Sequence, residues 1–411
     1  MRVLLVNQFF HPDLAATAQL VTDLAVDLAA AGAEVTAVTS RSAYLGSTAR
    51  YAPRDTYRGV KILRVPSTNL GRGSIARRLS DYASFFAACA AQIALLPAQD
   101  VCITLSTPPL VSLLGAGKKV ASLARTRFVY WVQDLYPDVA VRFGVLSRRS
   151  PLTLGLEALS LASLTAADAV VALGDDMAAR LVAKGARADK IAVIPNWSDG
   201  DEIGQVAPAQ NWFLDRHALR GKFVVLYSGN MGRGHEFATL LGAADKLSAR
   251  EDLLFLFIGE GAKRAEVEAF AKGRSNVRLL PYQRREDLPF SLGSAGVCAI
   301  TLSDGLEGMI LPSKLYGALA ARKPVLFIGP AESDVARVVE RESCGGAFRH
   351  GDVPGVVAFL ERLAADPAEA SVMGERGRRA FDHSYARRLS TGRFVSLCAG
   401  LCAPVAEGSP A

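Results

Sequence analysis

The stretch that decides the fold is Ser303 to Gly317, SDGLEGMILPSKLYG. It follows an apolar run from Gly296 to Leu302 that is typical of a buried strand, and it leads into a helical pattern from Lys314 to Ala321. The next apolar run, Pro324 to Gly329, is again typical of a strand. This order predicts a βα unit of an open α/β sheet, with a ligand site at the carboxyl end of the strand. The plainer alternative is an ordinary strand-to-helix loop.

The same alternation of apolar runs and helical patterns fills the chain, with helices such as 15–31 and 110–124 between strands. Strands are predicted in the first half at residues 2–7, 34–40, 60–65, 100–105, 127–132, 168–172 and 191–194. The pattern restarts in the second half at residues 223–228, 253–258, 276–280, 297–301, 324–329 and 345–348. Runs such as FVYWV at 128–132 lack polar alternation, as strands buried on both faces do. The sequence therefore predicts an α/β protein with two doubly wound, Rossmann-like parallel sheets.

The length fits this division, because 411 residues exceed one ordinary core and suit two domains of about 200 residues. A turn-rich, polar stretch with no clear period separates the halves at about 196–221. We therefore predict an N-terminal domain over 1–200 and a C-terminal domain over 221–383. A last helical pattern follows at about 384–401.

The composition of the chain limits the classes of partner that it is expected to bind. A net charge of +7 and a pI near 9.1 favour anions, which include phosphates, nucleic acid and an anionic lipid surface. No basic block with interleaved aromatic residues is present, so we expect no nucleic-acid partner. The six cysteines and five histidines show no metal-site or disulfide spacing, which indicates a reducing cytoplasm and no metal.

Neither of two apolar segments indicates a signal peptide or a membrane span. The N-terminus, MRVLLVN, is predicted as a first strand, because its apolar core is too short for a signal peptide. The longest uncharged run, Tyr82 to Gln99, contains serine, glutamine, proline and many alanines, which disfavour a span.

A glycine-rich turn follows the first strand of the second half, at Tyr227 to His235, YSGNMGRGH. Its three glycines permit close approach to the backbone, and the Arg233 guanidinium can pair with a phosphate in a fixed fork. Lys263 supplies a second cation after the next strand, although basic residues at a helix start are often only solvated. These turns favour a phosphate site.

The first βα turn of the chain runs from Asn7 to Thr17 and carries His11. The small residues Ala15, Ala16 and Thr17 would let a ligand approach the helix N-terminus. The turn lacks the G-x-G-x-x-G pattern, which disfavours a nicotinamide or flavin cofactor. The alternative is a plain loop with His11 on the surface.

Carboxylates follow two other first-half segments. Gln133 and Asp134 end a strand, where a carboxylate can orient an acceptor hydroxyl or act as a weak base. The alternative is that Asp134 or Asp138 caps the next helix. Asp199 and Asp201 have the spacing of a metal-carboxylate pair, but no strand directly precedes them, and we predict a turn.

Arginines precede two apolar helical patterns of the first half. The first group comprises Arg72, Arg77 and Arg78 before Phe85, Phe86, Ile93, Leu95 and Leu96. The second comprises Arg142, Arg148 and Arg149 before Leu152, Leu154, Leu156, Leu159 and Leu161. Cations beside apolar helical faces suit contact with an anionic membrane surface. Two core helices with solvated basic ends are the alternative.

These turns together resemble the GT-B glycosyltransferases of the GT4-like, retaining group, and more narrowly the bacterial enzymes that build surface polysaccharide and O-antigen units. The resemblance covers nearly the whole chain. It rests on NQFFHPD at 7–13, QDLYPD at 133–138, IPNW at 194–197, GNMGR at 229–233 and EGMILPSKLY at 307–316. It implies GT-B architecture, with two Rossmann-like domains facing each other across a cleft and the final helix crossing back to the first domain.

The resemblance also implies roles for residues. In that picture Arg233 and Lys263 face the pyrophosphate of a nucleotide-sugar donor, Glu307 contacts the donor sugar, and no metal or other cofactor is needed. The implied donor-binding residues are Gly229, Asn230, Gly232, Arg233, Lys263, Gly308, Met309, Ile310, Leu311, Ser313 and Lys314. The candidate catalytic residues are Glu307 and Asp134. The candidates for the acceptor side or the inter-domain cleft are His11, Ala15, Ala16, Thr17 and Gln133.

The chain departs from the family pattern in two places. The group often has a second glutamate after the first, assigned to the nucleotide ribose, where this chain has Leu315 or Gly317. The usual basic pair after the glycine turn is also altered, with Asn230 first and Arg233 or His235 later. A UDP-sugar is the first expectation for the donor.

The sequence thus predicts a retaining, metal-independent glycosyltransferase that is cytoplasmic and peripheral on the inner face of the cell membrane. Its expected partners are a nucleotide-sugar donor and a polyprenyl-diphosphate-linked or glycan acceptor. Two alternatives remain on the same fold: a nucleotide-sugar-binding scaffold without turnover, and a sugar-nucleotide epimerase.

Overall fold

The computed structural model of the protein describes residues 1–13, 15–43, 50–70 and 75–403, with the side chains of residues 75 and 76 excepted. The chain divides into two units. The first comprises Met1–Pro195 and the C-terminal segment from Arg388, and the second is Asn196–Arg387.

The first unit contains an eight-stranded sheet in the order β3-β4-β2-β1-β5-β6-β7-β8. Its strands are β1 (Arg2–Val6), β2 (Glu34–Ser40), β3 (Arg54–Tyr57), β4 (Val60–Val65), β5 (Val101–Leu105), β6 (Arg127–Trp131), β7 (Ala169–Ala172) and β8 (Ile191–Val193). All neighbouring strands pair in parallel except β3 and β4, which are antiparallel. β3 was not predicted, because its sequence, RDTY, is polar and the strand lies exposed at the sheet edge.

Helices connect these parallel strands. They are α1 (Ala16–Ala30), α2 (Ile75–Ala94), α3 (Ser112–Ala121), α4 (Asp138–Arg142), α5 (Pro151–Ala166) and α6 (Asp175–Ala183). The strands β1, β5, β6 and β7 are buried almost throughout, as expected for aliphatic and aromatic runs covered by helices on both faces.

The second unit contains a fully parallel six-stranded sheet in the order β11-β10-β9-β12-β13-β14. Its strands are β9 (Phe223–Ser228), β10 (Leu253–Ile258), β11 (Val277–Leu280), β12 (Val297–Thr301), β13 (Val325–Ile328) and β14 (Gly345–Phe348). All six coincide with predicted apolar runs. The two predicted parallel α/β sheets are therefore confirmed.

The helices of the second unit are α7 (Trp212–Arg216), α8 (Ala238–Lys246), α9 (Arg264–Ala271), α10 (Leu288–Gly293), α11 (Lys314–Ala320), α12 (Asp334–Arg341), α13 (Val353–Ala365) and α14 (Pro367–Ala380). A π-helical turn, Phe381–Tyr385, follows, and the last helix is α15 (Arg387–Cys402). α15 packs on the first sheet, where the rings of Phe394 and Trp131 lie 4.8 Å apart.

Residues 196–221, predicted as a linker, fold as part of the second unit. Asn211 and Phe213 are almost completely buried. The Asn211 side-chain amide donates to the Phe290 carbonyl at 2.9 Å, and the Trp212 and Phe290 rings lie 5.4 Å apart. Aromatic packing against α10 therefore fixes a segment whose sequence shows no secondary-structure period.

Strand order reverses in each sheet, between β1 and β5 in the first and between β9 and β12 in the second. Open parallel sheets form ligand crevices at such points, beyond the carboxyl ends of the strands. The turns that sequence analysis singled out follow β1, β6, β9 and β12, so they lie at or beside these crevices.

Candidate functional site

The glycine turn after β9 and the loop after β12 meet at the switch point of the second sheet. The amide of Ser303, at the start of the loop, donates to the Gly234 carbonyl at 2.9 Å. The Met231 amide donates to the Glu260 carbonyl at 2.7 Å, which ties the turn to the segment after β10 as well. Three strand ends are thus joined by backbone hydrogen bonds.

The glycines of this region serve packing between the turns. A Cβ atom on Gly259 would lie 2.1 Å from the Gly229 carbonyl oxygen, and one on Gly261 would lie 2.4 Å from the Met231 carbonyl oxygen. A Cβ atom on Gly229 would lie 2.9 Å from Cε of Lys314. Close approach of other protein groups therefore requires these glycines, whereas the sequence pattern predicted that they allow a ligand to approach.

Lys314 is the centre of the site. Its ammonium donates to the Asn230 carbonyl at 3.3 Å and to Nε2 of His235 at 3.2 Å, and it lies 4.8 Å from the centre of the Tyr227 ring. Nδ1 of His235 lies 2.7 Å from the Thr301 carbonyl oxygen and must donate to it. The His235 ring is therefore neutral, with its Nε2 lone pair directed at Lys314.

Burial shifts the protonation of this pair toward the neutral forms. Burial lowers the pKa of Lys314 to about 7. Burial, with the nearby Lys314 charge, holds the pKa of His235 well below its usual range. Within the described residues no carboxylate forms an ion pair with Lys314. A desolvated cation with two neutral partners can bind an anion strongly.

Two further cations belong to the same region. Arg233 is exposed and makes no ion pair within the part of the chain that the structure describes. The Lys263 amide donates to the Met231 carbonyl at 2.9 Å, and its ammonium lies 3.9 Å from Glu266. Lys263 is near enough to His235 to help lower the pKa of that ring. The predicted cations thus lie beside the glycine turn.

The loop after β12 carries Glu307 into a cavity of about 350 Å³. The other lining residues are Asp304, Gly329, Pro330, Ala331, Glu332, Arg349 and His350. The amides of Met309 and Ile310 both donate to the Leu306 carbonyl, at 2.9 and 3.2 Å. The amides of these two residues, which were predicted to bind the donor, are thus already engaged in a turn. The neighbouring Gly308 has φ +71° and Gly305 has φ +77°, which glycine adopts without strain.

The two positions at which the family pattern has a second glutamate differ in their surroundings. Leu315 is 2 % exposed and belongs to the core. A Cβ atom on Gly317 would meet only Leu292 at 3.7 Å and Ser198 at 3.9 Å, which are ordinary contacts. Gly317 is therefore the position with room for a side chain.

Asp134 follows β6 in the first unit. The Thr107 hydroxyl donates to Asp134 Oδ2 at 3.4 Å, and the Ser106 hydroxyl accepts from the amides of both Gln133 and Asp134 at 2.9 Å. Burial raises the pKa of Asp134 to about 6. Asp134 does not cap α4, which begins at Asp138, and the Asp138 carboxylate pairs with Lys184 at 2.7 Å. The capping alternative is therefore wrong for both residues.

The turn after β1 lies beside the same edge of the first sheet, and its Leu14 is outside the described residues. His11 stacks on Tyr57 with 3.6 Å between ring centres, and its carbonyl accepts from Arg64 at 2.8 Å. Ala15 precedes α1, and the first turn of that helix contains Ala16 and Thr17 but no acidic residue.

The two helices that follow the arginine groups, α2 and α5, differ in whether their apolar residues are buried or exposed. α2 directs Phe85 and Ile93 into the core of the first unit, where they are at most 4 % exposed, so the prediction of an outward apolar face is wrong for them. Leu95 at its end is 82 % exposed. Arg77 and Arg78 are exposed, and Arg72 lies outside the described residues.

Three of the four buried residues of α5 are polar, the fourth being Leu164, whereas four of its leucines are exposed. Thr153, Ser160 and Ser163 are buried, and the Ser163 hydroxyl accepts from that of Ser112 at 2.9 Å. The leucines exposed on the other face, by 40 to 62 %, are Leu152, Leu154, Leu159 and Leu161. Arg142, Arg148 and Arg149 are also exposed. Within the described chain, no helix is long and apolar enough to cross a bilayer.

Asp199 forms a turn, as predicted. One carboxylate oxygen accepts from the amides of Asp201 and Glu202 at 3.1 Å, and the other accepts from Arg387 at 3.0 Å.

His350, which no sequence pattern indicated, lines the cavity of Glu307. Nδ1 of His350 lies 2.8 Å from Glu236 Oε2, and Nε2 lies 2.9 Å from the Leu302 carbonyl oxygen. Arg349 and Glu332, in the same cavity, were also missed. The available signal was their position after the strands β14 and β13.

Known families match both halves of the chain. Residues 16–197 match the family described as a glycosyl transferase 4-like domain. Residues 212–380 match the family described as glycosyl transferases group 1.

Two curated proteins are similar to the chain, and the matched region spans about two thirds of each. The probable glycosyltransferase WbjE of Pseudomonas aeruginosa is 26 % identical over 272 residues, which cover 66 % of this chain and 67 % of WbjE. The putative colanic acid biosynthesis glycosyl transferase WcaI of Escherichia coli strain K12 is 26 % identical over 275 residues, covering 64 % of this chain and 66 % of WcaI.

Solved structures share the fold. Sucrose-phosphate synthase from Thermosynechococcus elongatus matches with a TM-score of 0.77 and 18 % identity, covering 98 % of this chain and 99 % of that one. Anabaena HepE, in complex with UDP and glucose, matches with a TM-score of 0.73 and 12 % identity, covering 97 % and 100 %. The predicted GT-B fold class is confirmed.

Proposed function

Because the chain is a glycosyltransferase of the GT4-like type, we propose that it transfers a sugar from a nucleoside-diphosphate donor to a polyprenyl-diphosphate-linked or glycan acceptor. Its similarity to WbjE and WcaI supports a place in bacterial surface-polysaccharide biosynthesis. A UDP-sugar is the first donor to test, since HepE was solved with UDP and glucose and has the same fold.

The observation that carries the donor proposal is Lys314, a desolvated cation held by His235 and the Asn230 carbonyl. With Arg233 and Lys263 nearby, it can bind the donor diphosphate and stabilise the negative charge that develops on it as the sugar departs. Charge stabilisation by these three side chains makes a metal ion unnecessary. We propose that catalysis is metal-independent for this reason.

Glu307 is proposed to bind the donor sugar. Its cavity of about 350 Å³ is large enough for a hexose, and the carboxylates of Glu307, Asp304 and Glu332 can accept hydrogen bonds from sugar hydroxyls. We propose that the anomeric configuration is retained. The acceptor hydroxyl then attacks the anomeric carbon from the face that the departing diphosphate leaves, and the bond to the diphosphate oxygen breaks as the new bond forms.

Asp134 is proposed to orient the acceptor hydroxyl and accept its proton. Its raised pKa, about 6, leaves it ionised at neutral pH yet basic enough to receive a proton. His11, Gln133 and the start of α1, at Ala15, Ala16 and Thr17, are proposed to bind the acceptor.

α5 is proposed to rest on the cytoplasmic face of the membrane. Four exposed leucines face outward while Thr153, Ser160 and Ser163 face inward, the reverse of an ordinary surface helix. The exposed arginines before the helix, Arg148 and Arg149, add attraction to anionic lipid. A peripheral enzyme placed this way could reach a lipid-linked acceptor.

A thermal-shift screen of nucleotide sugars tests the donor proposal. A ligand that binds only the folded protein increases its free energy of unfolding, by about 2.7 kcal/mol at a ligand concentration a hundred times Kd. This stabilisation raises the Tm. We expect a UDP-sugar to raise the Tm and the Lys314→Met variant to lose that response. Binding without transfer to any acceptor would favour a scaffold, and formation of an epimeric nucleotide sugar without acceptor would favour an epimerase.

A further inference from the structure

Two histidines donate to consecutive carbonyls at the end of β12, immediately before the Glu307 loop. Nδ1 of His235 lies 2.7 Å from the Thr301 carbonyl oxygen, and Nε2 of His350 lies 2.9 Å from the Leu302 carbonyl oxygen. The peptide that follows, at Ser303, is held by the Gly234 carbonyl. The exit of the strand is thus held from two sides.

The two rings differ in protonation. His235 must be neutral, since its Nε2 accepts from Lys314. His350 has acceptors at both nitrogens, because Nδ1 faces Glu236 Oε2 at 2.8 Å. A neutral imidazole has only one N–H, so both bonds of His350 form only when the ring is an imidazolium.

The Glu236 side chain is fixed by two further hydrogen bonds. Its Oε1 accepts from the Ala238 amide, and its Oε2 accepts from the Thr239 hydroxyl at 3.4 Å. Both carboxylate oxygens therefore have a donor besides the His350 ring. Since Glu236 lies two residues before α8, the His350 ring connects the start of that helix, the end of β14 and the exit of β12.

The charges around His350 are predominantly acidic. Glu236, near the start of α8, contributes one carboxylate. Asp304, in the loop after β12, contributes a second, whose Oδ1 lies 3.7 Å from Nε2 of His350. Glu307 from that loop and Glu332 from the loop after β13 line the same cavity, as does the cation Arg349 beside His350 itself. Four carboxylates and one arginine therefore surround the ring.

We propose that His350 is a positioning residue that, as an imidazolium, fixes the loop carrying Glu307, and that loss of its proton releases one of its two hydrogen bonds. This role rests on the proposed function of Glu307, but the state of the ring and of the loop can be measured without donor. When the ring is neutral it can bond either Glu236 or Leu302 as a donor, so the exit of β12 loses its connection to α8.

Two variants separate this role from general damage. His350→Gln offers one NH2 group, whose single nitrogen can reach either Glu236 or Leu302, together with an acceptor oxygen, and so imitates the neutral ring. Glu236→Gln offers an N–H to Nδ1, which allows a neutral His350 to keep both hydrogen bonds. The first variant should therefore loosen the loop at every pH, and the second should keep it ordered while removing its dependence on the proton.

The experiment uses the full chain without donor, labelled with ¹⁵N, from about pH 5.5 to about pH 8.5, the range in which histidines titrate. Ring nitrogen signals of His350, assigned by their loss in His350→Gln, report whether one or both nitrogens carry hydrogen. Hydrogen exchange at Met309 and Ile310, corrected for intrinsic rates, reports the order of the loop.

We expect both His350 nitrogens to be protonated at the acidic end. Protection at Met309 and Ile310 should fall about tenfold as the ring loses its proton, the effect of one charged hydrogen bond. His350→Gln should show the low protection throughout, and Glu236→Gln the high protection throughout. A singly protonated ring at acidic pH, or protection that is equal in wild type and His350→Gln, would overturn the proposal. Absence of donor binding with these results intact would contradict only the proposed function.

Discussion

The Lys314 ammonium lies 3.2 Å from Nε2 of His235, whose other ring nitrogen donates to the Thr301 carbonyl. This contact joins the glycine turn after β9 to the helix after β12, the two segments at the switch point of the second sheet. It places a partly buried cation beside a neutral ring. Such a pair costs stability in the free protein and favours an anionic ligand, and the first predictions follow from that balance.

Replacing Lys314 by methionine should weaken nucleotide binding and stabilise the free protein. Loss of one charge-assisted hydrogen bond should raise the Kd for UDP about 10- to 100-fold. Calorimetric titration with UDP measures this effect. Lys246→Met, which removes an exposed cation at the end of α8, is the matched control and should bind UDP as wild type does.

The stability effect of Lys314→Met has a definite sign. The pKa of Lys314 is about 7 in the folded protein, whereas an unfolded lysine has a pKa of about 10.4. The unfolded chain therefore binds more protons between these values, and the free energy of unfolding of wild type rises with pH there. The variant should lack this rise and unfold a few degrees higher at neutral pH, about 2 to 4 °C per kcal/mol. A lower Tm for the variant would show that Lys314 stabilises the fold.

Nucleotide binding should depend on pH through the same group. Below about pH 7 Lys314 is already charged in the free protein, whereas above that pH the diphosphate must draw a proton onto it. UDP affinity should therefore fall by up to about tenfold per pH unit above about pH 7. Titrations in buffers of different ionisation enthalpy would detect the proton uptake. Affinity that is constant from pH 6 to pH 9 would contradict a role for Lys314 as the cation.

Asp134→Asn should lower activity and raise stability. Burial raises the pKa of Asp134 to about 6, so the folded state favours the neutral carboxyl, and removing the charge should stabilise the protein at pH 7. If the carboxylate is the base, wild-type kcat/KM should fall as the pH drops below about 6, and the variant should lose about 100-fold or more in turnover.

Asp138→Asn is the contrasting variant for Asp134. It breaks the 2.7 Å pair with Lys184 and should lower stability with little effect on turnover. Equal turnover of Asp134→Asn and wild type would remove Asp134 from the mechanism.

Replacing Leu152, Leu154 and Leu161 on α5 by glutamine should abolish attachment to anionic vesicles. Each leucine should lose up to about 1.5 kcal/mol of burial in the lipid interface. Co-sedimentation with vesicles of phosphatidylglycerol and phosphatidylcholine measures this, and far-UV circular dichroism checks the fold. The variant leaves the buried face of α5, with Thr153, Ser160 and Ser163, unchanged. Binding that survives the triple change, or that is the same on neutral vesicles, would place the membrane contact elsewhere.

The sheets could be predicted from sequence because most of their strands are buried on both faces. Runs such as LLFLFI in β10 are apolar throughout and have no other stable location. β3 was not predicted, because its sequence RDTY is polar and the strand pairs only at the edge of the first sheet. The fold of segment 196–221 was not predicted because aromatic contacts of Trp212 and Phe213, rather than a periodic pattern, fix it.

The site could be predicted only in outline. Arg233 was identified from the glycine turn after β9, and the resemblance to the GT4-like group implied the roles of Lys314 and Glu307. The structural role of the glycines could not be predicted, since it depends on contacts such as that between Gly259 and the Gly229 carbonyl. His350 was missed because its partners, Glu236 and Leu302, are 114 and 48 positions away along the chain. Such contacts have no local sequence signal.

The central claim is that the second domain delivers a sugar from a nucleotide donor held by Lys314 and Glu307. The most direct measurement incubates the purified protein with UDP-sugars and a polyprenyl-diphosphate-linked acceptor and follows the product by mass spectrometry. Wild type and the exposed-site control Glu340→Gln should both extend the acceptor by one sugar, whereas Glu307→Gln should be slower by about 100-fold or more. Product formed equally fast by Glu307→Gln, or no consumption of any nucleotide sugar by wild type, would contradict the account.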